Sequence, residues 1–236
     1  MTNLLSRYAL VLVLSTITTA LAGIASAEPG GYSVVPGEIA GKSPDSLGTW
    51  AVHYQRLAGG YSDVAAACND HIDAQADRLV QTATWDASTK RPWTFHAAGT
   101  LGFQPVTASE VWVSEYNVDE PNMPLRSVST VVCDTRSGVL ISVDNLFRDQ
   151  QAGLNKLSEL TEASIASVAA PEDLRAWKRN GLLAPVKVNY KNWVPTAGGI
   201  ELYFPEFQFG RGLKALTLPW LPLADLIAPE FIPITR

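Results

Sequence analysis

The two cysteines are the residues with the clearest capacity for chemistry. Cys68 and Cys133 are the only thiols in the chain, and an even count in an oxidising compartment predicts one disulfide. That bond would close a loop of 66 residues, both cysteines included, and would stabilise the fold by roughly 4 kcal/mol in the chain-entropy model. A redox or nucleophilic thiol is the alternative, but the pair lacks C-x-x-C spacing and neither thiol lies in a basic environment. The pattern favours a structural disulfide.

A cation site is the second chemical possibility. Three aspartates share one face of a predicted helix with His71: Asp70, Asp73 and Asp77. Carboxylates of this kind can bind a cation, but like charges along one helix face are more often simply solvated. The chain's three histidines each lie inside a predicted helix or strand, where packing or surface roles are the commoner ones: His53, His71 and His96. We predict neither a metal site nor a cofactor.

The sequence contains no familiar hydrolase signature. It has no G-x-S-x-G elbow, no H-E-x-x-H helix and no zinc-type cysteine cluster. A hydrolase built from dispersed residues would most readily use Glu201 and Glu206 as its carboxylate pair. Glu201, however, alternates with apolar neighbours on a predicted strand, which is typical of the solvated face of a sheet. We assign no catalytic residue, and an enzyme without a recognisable motif stays open as the alternative.

Seven tryptophans raise the possibility of glycan binding, since flat aromatic faces stack on sugar rings. Trp112 and Trp220 lie in predicted strands and are expected in the core. Only three others lie near element boundaries where exposure is plausible: Trp50, Trp85 and Trp193. A glycan-binding role therefore stays open beside the hydrolase.

The charge balance excludes some partners. The chain has 18 basic and 23 acidic residues, a formal net charge of -5. An acidic balance argues against binding to nucleic acid or to anionic membrane surfaces. It permits a cationic partner.

The first 27 residues have the features of a cleaved signal peptide. Arg7 gives a short basic region, residues 8–21 are mostly apolar, and residues 25–27 (ASA) fit the small-residue rule for cleavage. The apolar run is interrupted by serine and threonine and is shorter than the ~20 residues that a bilayer requires. We therefore expect export without a stable membrane anchor, and a location in the extracellular space or at the cell wall.

Residues 28–48 are predicted to be a flexible lead-in, because they hold three prolines and several glycines with little apolar pattern. Within it, residues 37–43 (GEIAGKS) resemble a phosphate-binding loop but have one residue too few between the glycines, and Pro44 follows at once. The domain is expected to occupy residues 49–236.

Hydrophobic periodicity predicts an α+β fold for that domain: one antiparallel sheet with two main helices packed on one face, in a single domain. The predicted strands are residues 49–57, 93–103, 110–118, 127–134, 139–143, 200–204 and 215–220. The predicted helices are residues 64–83, 154–168 and, as a short third one, 171–179. The inner face of the first helix carries Cys68 with Ile72, Ala76, Leu79 and Ala83, so the disulfide would join helix to sheet.

The order of these elements, together with short sequence motifs within them, resembles that of the RsiV-like family. The matching parts are the strand, loop and helix of residues 52–72 with Asn69, then residues 131–138 (VVCDTRSG) and 141–147 (ISVDNLF). The most specific match is C-terminal: residues 202–206 (LYFPE), a glycine-containing break, and a final strand at 215–218. The family is a domain of unknown function found in the extracellular part of an anti-sigma factor and in secreted mycobacterial immunogenic antigens.

One loop departs from the family. Where the family places a Gly-Gly-x-His element between its central strands, this chain has residues 117–124 (NVDEPNMP). The anti-sigma member's extracellular domain binds lysozyme, a cationic protein, so the resemblance implies a cationic extracellular partner. We predict that this loop offers an acidic and apolar contact surface, since connecting loops commonly carry binding residues. Its candidate contact residues are Asp119, Glu120, Asn122 and Met123.

Two functions of different class follow from the sequence. The first is a secreted, disulfide-stapled binding or interaction protein of the cell envelope or extracellular space, without enzymatic activity and with an unidentified ligand. The alternative is a cell-wall-directed hydrolase or glycan-binding protein without a recognisable motif.

Overall fold

The computed structural model describes residues 30–85, 87–118 and 124–236. Within these ranges the strands are β1 (Tyr32–Lys42), β2 (Gly48–Gly59), β3 (Trp93–Gln104), β4 (Thr107–Val118), β5 (Leu125–Asp134), β6 (Trp193–Thr196), β7 (Gly199–Phe204) and β8 (Lys214–Leu218). The α-helices are α1 (Ser62–Trp85), α2 (Gln150–Ala166), α3 (Pro171–Arg179) and α4 (Lys187–Tyr190), and short 3₁₀ turns follow at Ala224–Leu226 and Pro229–Thr235. The predicted signal peptide, residues 1–27, lies outside the described residues.

The larger sheet has the strand order β1-β2-β3-β4-β5. Its pairs are antiparallel except β2 and β3, which run parallel from Gly48 opposite Trp93 to His53 opposite Ala98. Parallel neighbours need a crossover connection, and α1 provides it. The predicted inner face of α1 is buried, as expected, and it packs with the sheet's aromatic and aliphatic side chains in one core cluster.

The smaller sheet has the order β6-β7-β8 and is antiparallel. Ile200, Leu202 and Phe204 of β7 point into a second core cluster, which also takes Leu154 and Leu157 from α2. Asp149 caps α2 by accepting a hydrogen bond from the Ala152 N–H at 2.9 Å. The α+β class in a single domain is confirmed, but the strands form two sheets with one parallel pair, and the two main helices serve different core clusters.

The predicted flexible lead-in contains a strand instead. β1 pairs with β2 along its whole length, from Tyr32 opposite Gly59 to Lys42 opposite Thr49. The strand lies at the edge of the sheet and buries only Tyr32, so it has almost no apolar alternation to signal it. Pro36 is compatible with an edge position, because one side of such a strand has no ladder to donate to.

The predicted strand at residues 139–143 is wrong. That segment makes one isolated bridge, between Cys133 and Leu140. Two backbone bonds to β5 flank that bridge, from the Asp134 N–H to the Val139 carbonyl at 2.9 Å and from the Ile141 N–H to the Val132 carbonyl at 2.8 Å. The chain then turns around Asn145, whose side chain donates to the Leu140 carbonyl at 2.8 Å and accepts from the Ser142 N–H at 2.8 Å. The apolar residues Ile141 and Val143 are buried, but neither lies in a strand.

No helix in the described part of the chain is both long enough and apolar enough to span a bilayer.

Candidate functional site

Cys68 of α1 and Cys133 of β5 form a disulfide, with their Cα atoms 5.7 Å apart. Both residues are fully buried between the helix and the sheet. A buried cystine offers no accessible thiolate, and reactive cysteines require one. The prediction of a structural disulfide is confirmed.

The residues that carried the family resemblance are largely scaffold. Buried Asn69 accepts from the Leu57 N–H at 2.8 Å and donates to the Leu57 carbonyl at 2.9 Å, so its amide joins α1 to β2. Buried Asp134 accepts from both the main chain and the guanidinium of Arg136, and that guanidinium also donates to the Glu230 carbonyl at 2.8 Å. The hydrogen bonds of these side chains connect separate elements of the fold.

The predicted carboxylate pair is not arranged as catalytic groups. Each oxygen of Glu206 accepts a main-chain N–H, from Arg126 at 3.2 Å and from Gly212 at 3.3 Å. Glu201 is half-buried rather than solvated, and its carboxylate bonds the hydroxyl of Tyr203 on the same strand face. Burial raises the pKa of Glu201, and burial together with the neighbouring carboxylate raises the pKa of Tyr203. Glu206 clamps two chain segments, and Glu201 is held by a tyrosine.

A groove of about 380 Å³ lies beside that clamp, between α4 and the connection from β7 to β8. We call it the Phe207 groove, and it is lined in part by Leu182, Val188, Tyr203, Glu206 and Phe207. Phe207 is 55 % exposed and Val188 is 66 % exposed. Phe207 also has a φ of 72°, a left-handed conformation that is costly for a bulky side chain.

The predicted contact residues Asp119, Glu120, Asn122 and Met123 lie outside the described residues. The described chain resumes at Pro124, and the main-chain N–H of Arg126 bonds the Glu206 carboxylate at the edge of the Phe207 groove. Arg126, two residues after the described chain resumes, thus contacts a residue that lines the groove.

The most unusual carboxylate is Glu110 of β4, which the sequence reasoning missed. Its side chain is completely buried, and one oxygen accepts from the Gln55 N–H of β2 at 2.8 Å. It reaches β2 past Gly99 of β3, where an added Cβ would overlap its carboxylate. Burial raises the pKa of Glu110 to about 8. A glutamate in a half-polar strand gives no sequence signal of such burial.

Glu110 fills an opening in the sheet. The ladder between β2 and β3 ends at His53 opposite Ala98. Beyond that point the side chain of Gln55 joins β2 to β3, since its carbonyl oxygen accepts from the Leu101 N–H at 2.7 Å. Side chains thus replace the backbone bonds that parallel pairing would have made.

The three aspartates that were considered as cation ligands are separated in their contacts. Asp73 pairs with Arg56 at 3.2 Å, while Asp70 and Asp77 are exposed. His71 lies 3.2 Å from the Gly138 carbonyl oxygen through its Nε2. No group of three potential metal ligands occurs in the described ranges.

The division of the tryptophans into buried and exposed ones differs in part from the prediction. Trp112 and Trp220 are in the core as expected, and Trp193, one of the three candidates for exposure, is only 1 % exposed. Trp193 is buried because β6 closes the smaller sheet against the second core cluster. Trp85 is 89 % exposed, and it lines one cleft of about 210 Å³ together with Trp50 and Trp93.

No protein-family model matches the sequence, and no curated protein matches it. Solved structures do resemble the fold. A DUF3298 family protein from Pseudomonas aeruginosa PAO1 aligns with 86 % of this chain and 96 % of its own length, at 12 % identity and a TM-score of 0.52. A member of the same family from Bacteroides fragilis NCTC 9343 aligns with 87 % of this chain and 96 % of its own, at 10 % identity and a TM-score of 0.57. The chain therefore shares the fold of DUF3298 proteins, a domain of unknown function.

Proposed function

We propose that this chain is a secreted, RsiV-like interaction domain that binds a cationic extracellular protein through the Phe207 groove. The observation that carries the proposal is an exposed aromatic side chain held in a left-handed backbone conformation. Strain of this kind persists where the surrounding structure enforces it, and it clusters at functional sites. The disulfide and the order of motifs agree with an exported domain of this type.

The surroundings of Phe207 hold its strained backbone in place. Its N–H donates to the Gly210 carbonyl at 2.9 Å, and Gln208 next to it donates to the Leu182 carbonyl at 3.1 Å. The preceding Glu206 is fixed at both of its oxygens. The aromatic ring is therefore displayed on a rigid turn, which lowers the entropy that a partner must remove on binding.

The exposed apolar area extends beyond one side chain. Val188, which is 66 % exposed, lines the groove together with Phe207. Contiguous exposed apolar surface with a polar rim is typical of protein contact sites. The polar rim is provided by Lys191 and Glu206.

The net charge of -5 supports a cationic partner. The loop that holds Asp119 and Glu120 adds two acidic residues close in sequence to Arg126, which contacts the groove through Glu206. We propose that this loop steers the partner and that the apolar groove holds it, since charges act mainly on association rate.

The test is a pull-down with lysozyme and with whole extracellular fluid, with cytochrome c as a cationic protein that controls for charge alone. Phe207→Gly should abolish capture while leaving thermal stability almost unchanged, because glycine adopts positive φ without strain. Leu221→Ala removes another exposed apolar side chain, 75 % exposed and outside the groove, and should have no effect.

Charge reversal at Asp119 and Glu120 should slow association and weaken its dependence on salt. Capture that survives Phe207→Gly would overturn the groove as the contact surface. Capture of cytochrome c equal to that of any partner would reduce the interaction to nonspecific charge.

A further inference from the structure

We propose that the cleft lined by Trp50, Trp85, Trp93 and Asp45 is a binding subsite for a neutral saccharide. We call it the aromatic cleft. It shares no lining residue with the Phe207 groove, so this inference goes beyond the proposed protein partner and does not rest on it.

Half-buried Trp50 belongs to an aromatic platform, and the Trp93 ring beside it is buried at 3 % exposure and supports it. The rings of Trp50 and Trp93 are nearly parallel, at 13° with centroids 6.3 Å apart, and Trp93 stacks in turn on Tyr116 at 5.6 Å. Two glycines leave room for this platform, since a Cβ at Gly41 would overlap the Trp50 ring and one at Gly48 would overlap the Trp93 ring. The platform is therefore fixed before any ligand arrives.

One wall of the cleft is unprotected. Trp85, the last residue of α1, is 89 % exposed although tryptophan is usually highly buried. An exposed ring contributes no hydrophobic free energy to folding, because that free energy comes from burying apolar surface. A ligand that covers it would recover that free energy.

The rim supplies acceptors and donors for hydroxyl groups. Asp45 accepts at one carboxylate oxygen from the Ser43 hydroxyl at 2.5 Å and from the Leu47 N–H at 3.0 Å. These bonds, the serine first, lower the pKa of Asp45, so its exposed carboxylate stays ionised and accepting. The side chains of Thr84 and Thr89 also line the cleft.

A sugar matches this arrangement better than a cation does. A pyranose ring has a flat face of C–H groups that packs on an aromatic plane, and its edge carries hydroxyls that need polar partners. Quaternary ammonium sites enclose the cation with several aromatic faces, whereas Trp93 is buried here and Trp50 and Trp85 are the rings of the cleft that solvent reaches. The cleft volume of about 210 Å³ suits a single ring of a longer chain.

The experiment titrates the full chain with chitotetraose, cellotetraose and mannotetraose, and follows the indole resonances of tryptophan by NMR. We expect at least one of the three to shift the Trp50 and Trp85 signals in a saturable way. Trp85→Ala should weaken that binding by roughly tenfold, the effect of losing one aromatic stacking contact. The exposed position of Trp85 makes the variant compatible with folding.

Leu221→Ala is the matched control and should bind each sugar as the wild type does, since Leu221 is exposed but does not line the cleft. Tetramethylammonium serves as the cationic probe. Binding of tetramethylammonium without any sugar, no tryptophan shift with all three sugars, or unchanged affinity in Trp85→Ala would each overturn the proposal.

Discussion

Replacing Glu110 with glutamine should remove a large pH dependence of stability. The folded-state pKa of about 8 lies well above the value of 4.5 for an unperturbed glutamate. At about 1.4 kcal/mol for each tenfold change, this difference corresponds to about 5 kcal/mol between the two protonation states. The side chain is completely buried, so solvent does not screen this energy.

The direction follows from which state holds the proton. Below about pH 4.5 both the folded and the unfolded chain carry a protonated Glu110. The contribution of its raised pKa to the free energy of unfolding is then fully present. As pH rises towards about 8, the unfolded chain releases the proton and the folded chain keeps it, so the free energy of unfolding falls by about 1.4 kcal/mol per pH unit. Above that pH the contribution is lost.

Glu110→Gln mimics the protonated acid. Its amide oxygen can still accept the Gln55 N–H, and it cannot ionise. We therefore expect the variant to be more stable than the wild type by about 4 kcal/mol near pH 8 and almost equal to it near pH 4. Urea unfolding across this range measures both slopes.

Glu115→Gln is the control, since Glu115 lies on the same strand but its side chain is 42 % exposed. Parallel pH profiles for the wild type and Glu110→Gln would refute the reasoning. They would mean that the buried carboxyl is not protonated in the folded state.

Three further changes test the scaffold. The double variant Cys68→Ala with Cys133→Ala should lose about 4 kcal/mol of unfolding free energy in urea, because it frees a loop of 66 residues in the unfolded chain; a loss below about 1 kcal/mol would contradict this. Asn69→Ala should cost about 2 kcal/mol by the same assay, since the Leu57 N–H and carbonyl lose their partners inside the protein; an unchanged urea midpoint would be incompatible with that role. Gly99→Ala should cost about 1–3 kcal/mol by overlapping Glu110 and Trp112. Gly102→Ala on the same strand, with its nearest atom at 3.9 Å, should be tolerated in a thermal melt, and equal melting of the two variants would exclude the overlap.

Elements with strong local signals could be predicted closely. α3 begins at Pro171 and ends at Arg179 as its proline, acidic start and basic end indicate. α1 follows from helical spacing of its buried residues, although it extends from Ser62 to Trp85, slightly beyond the prediction. These signals are local in sequence, so no tertiary information is needed to read them.

Elements whose partners are distant in sequence could not be predicted from local signals. β1 has few buried side chains, and its backbone pairing with β2 alone makes it a strand. The prediction of an antiparallel sheet was wrong for β2 and β3, which pair in parallel with α1 as their crossover connection. A helix between two strands is typical of parallel pairing, and α1 is such a helix.

The candidate sites show the same division. Trp85 was correctly among the candidates for exposure, while Trp193 was not exposed because the smaller sheet buries it. Glu206 is a hydrogen-bond clamp only because Arg126 and Gly212 meet it in space.

The sequence by itself determined the α+β class, the cysteine pairing and the main helices. These depend on residue type, count and short-range period, which are present in the chain before it folds. Only the tertiary structure decided which polar groups are buried and which aromatic rings share a surface. Glu110 and the tryptophans of the aromatic cleft acquire their environments from strands up to tens of residues away. Desolvation and contact depend on those distant neighbours, and local sequence does not specify them.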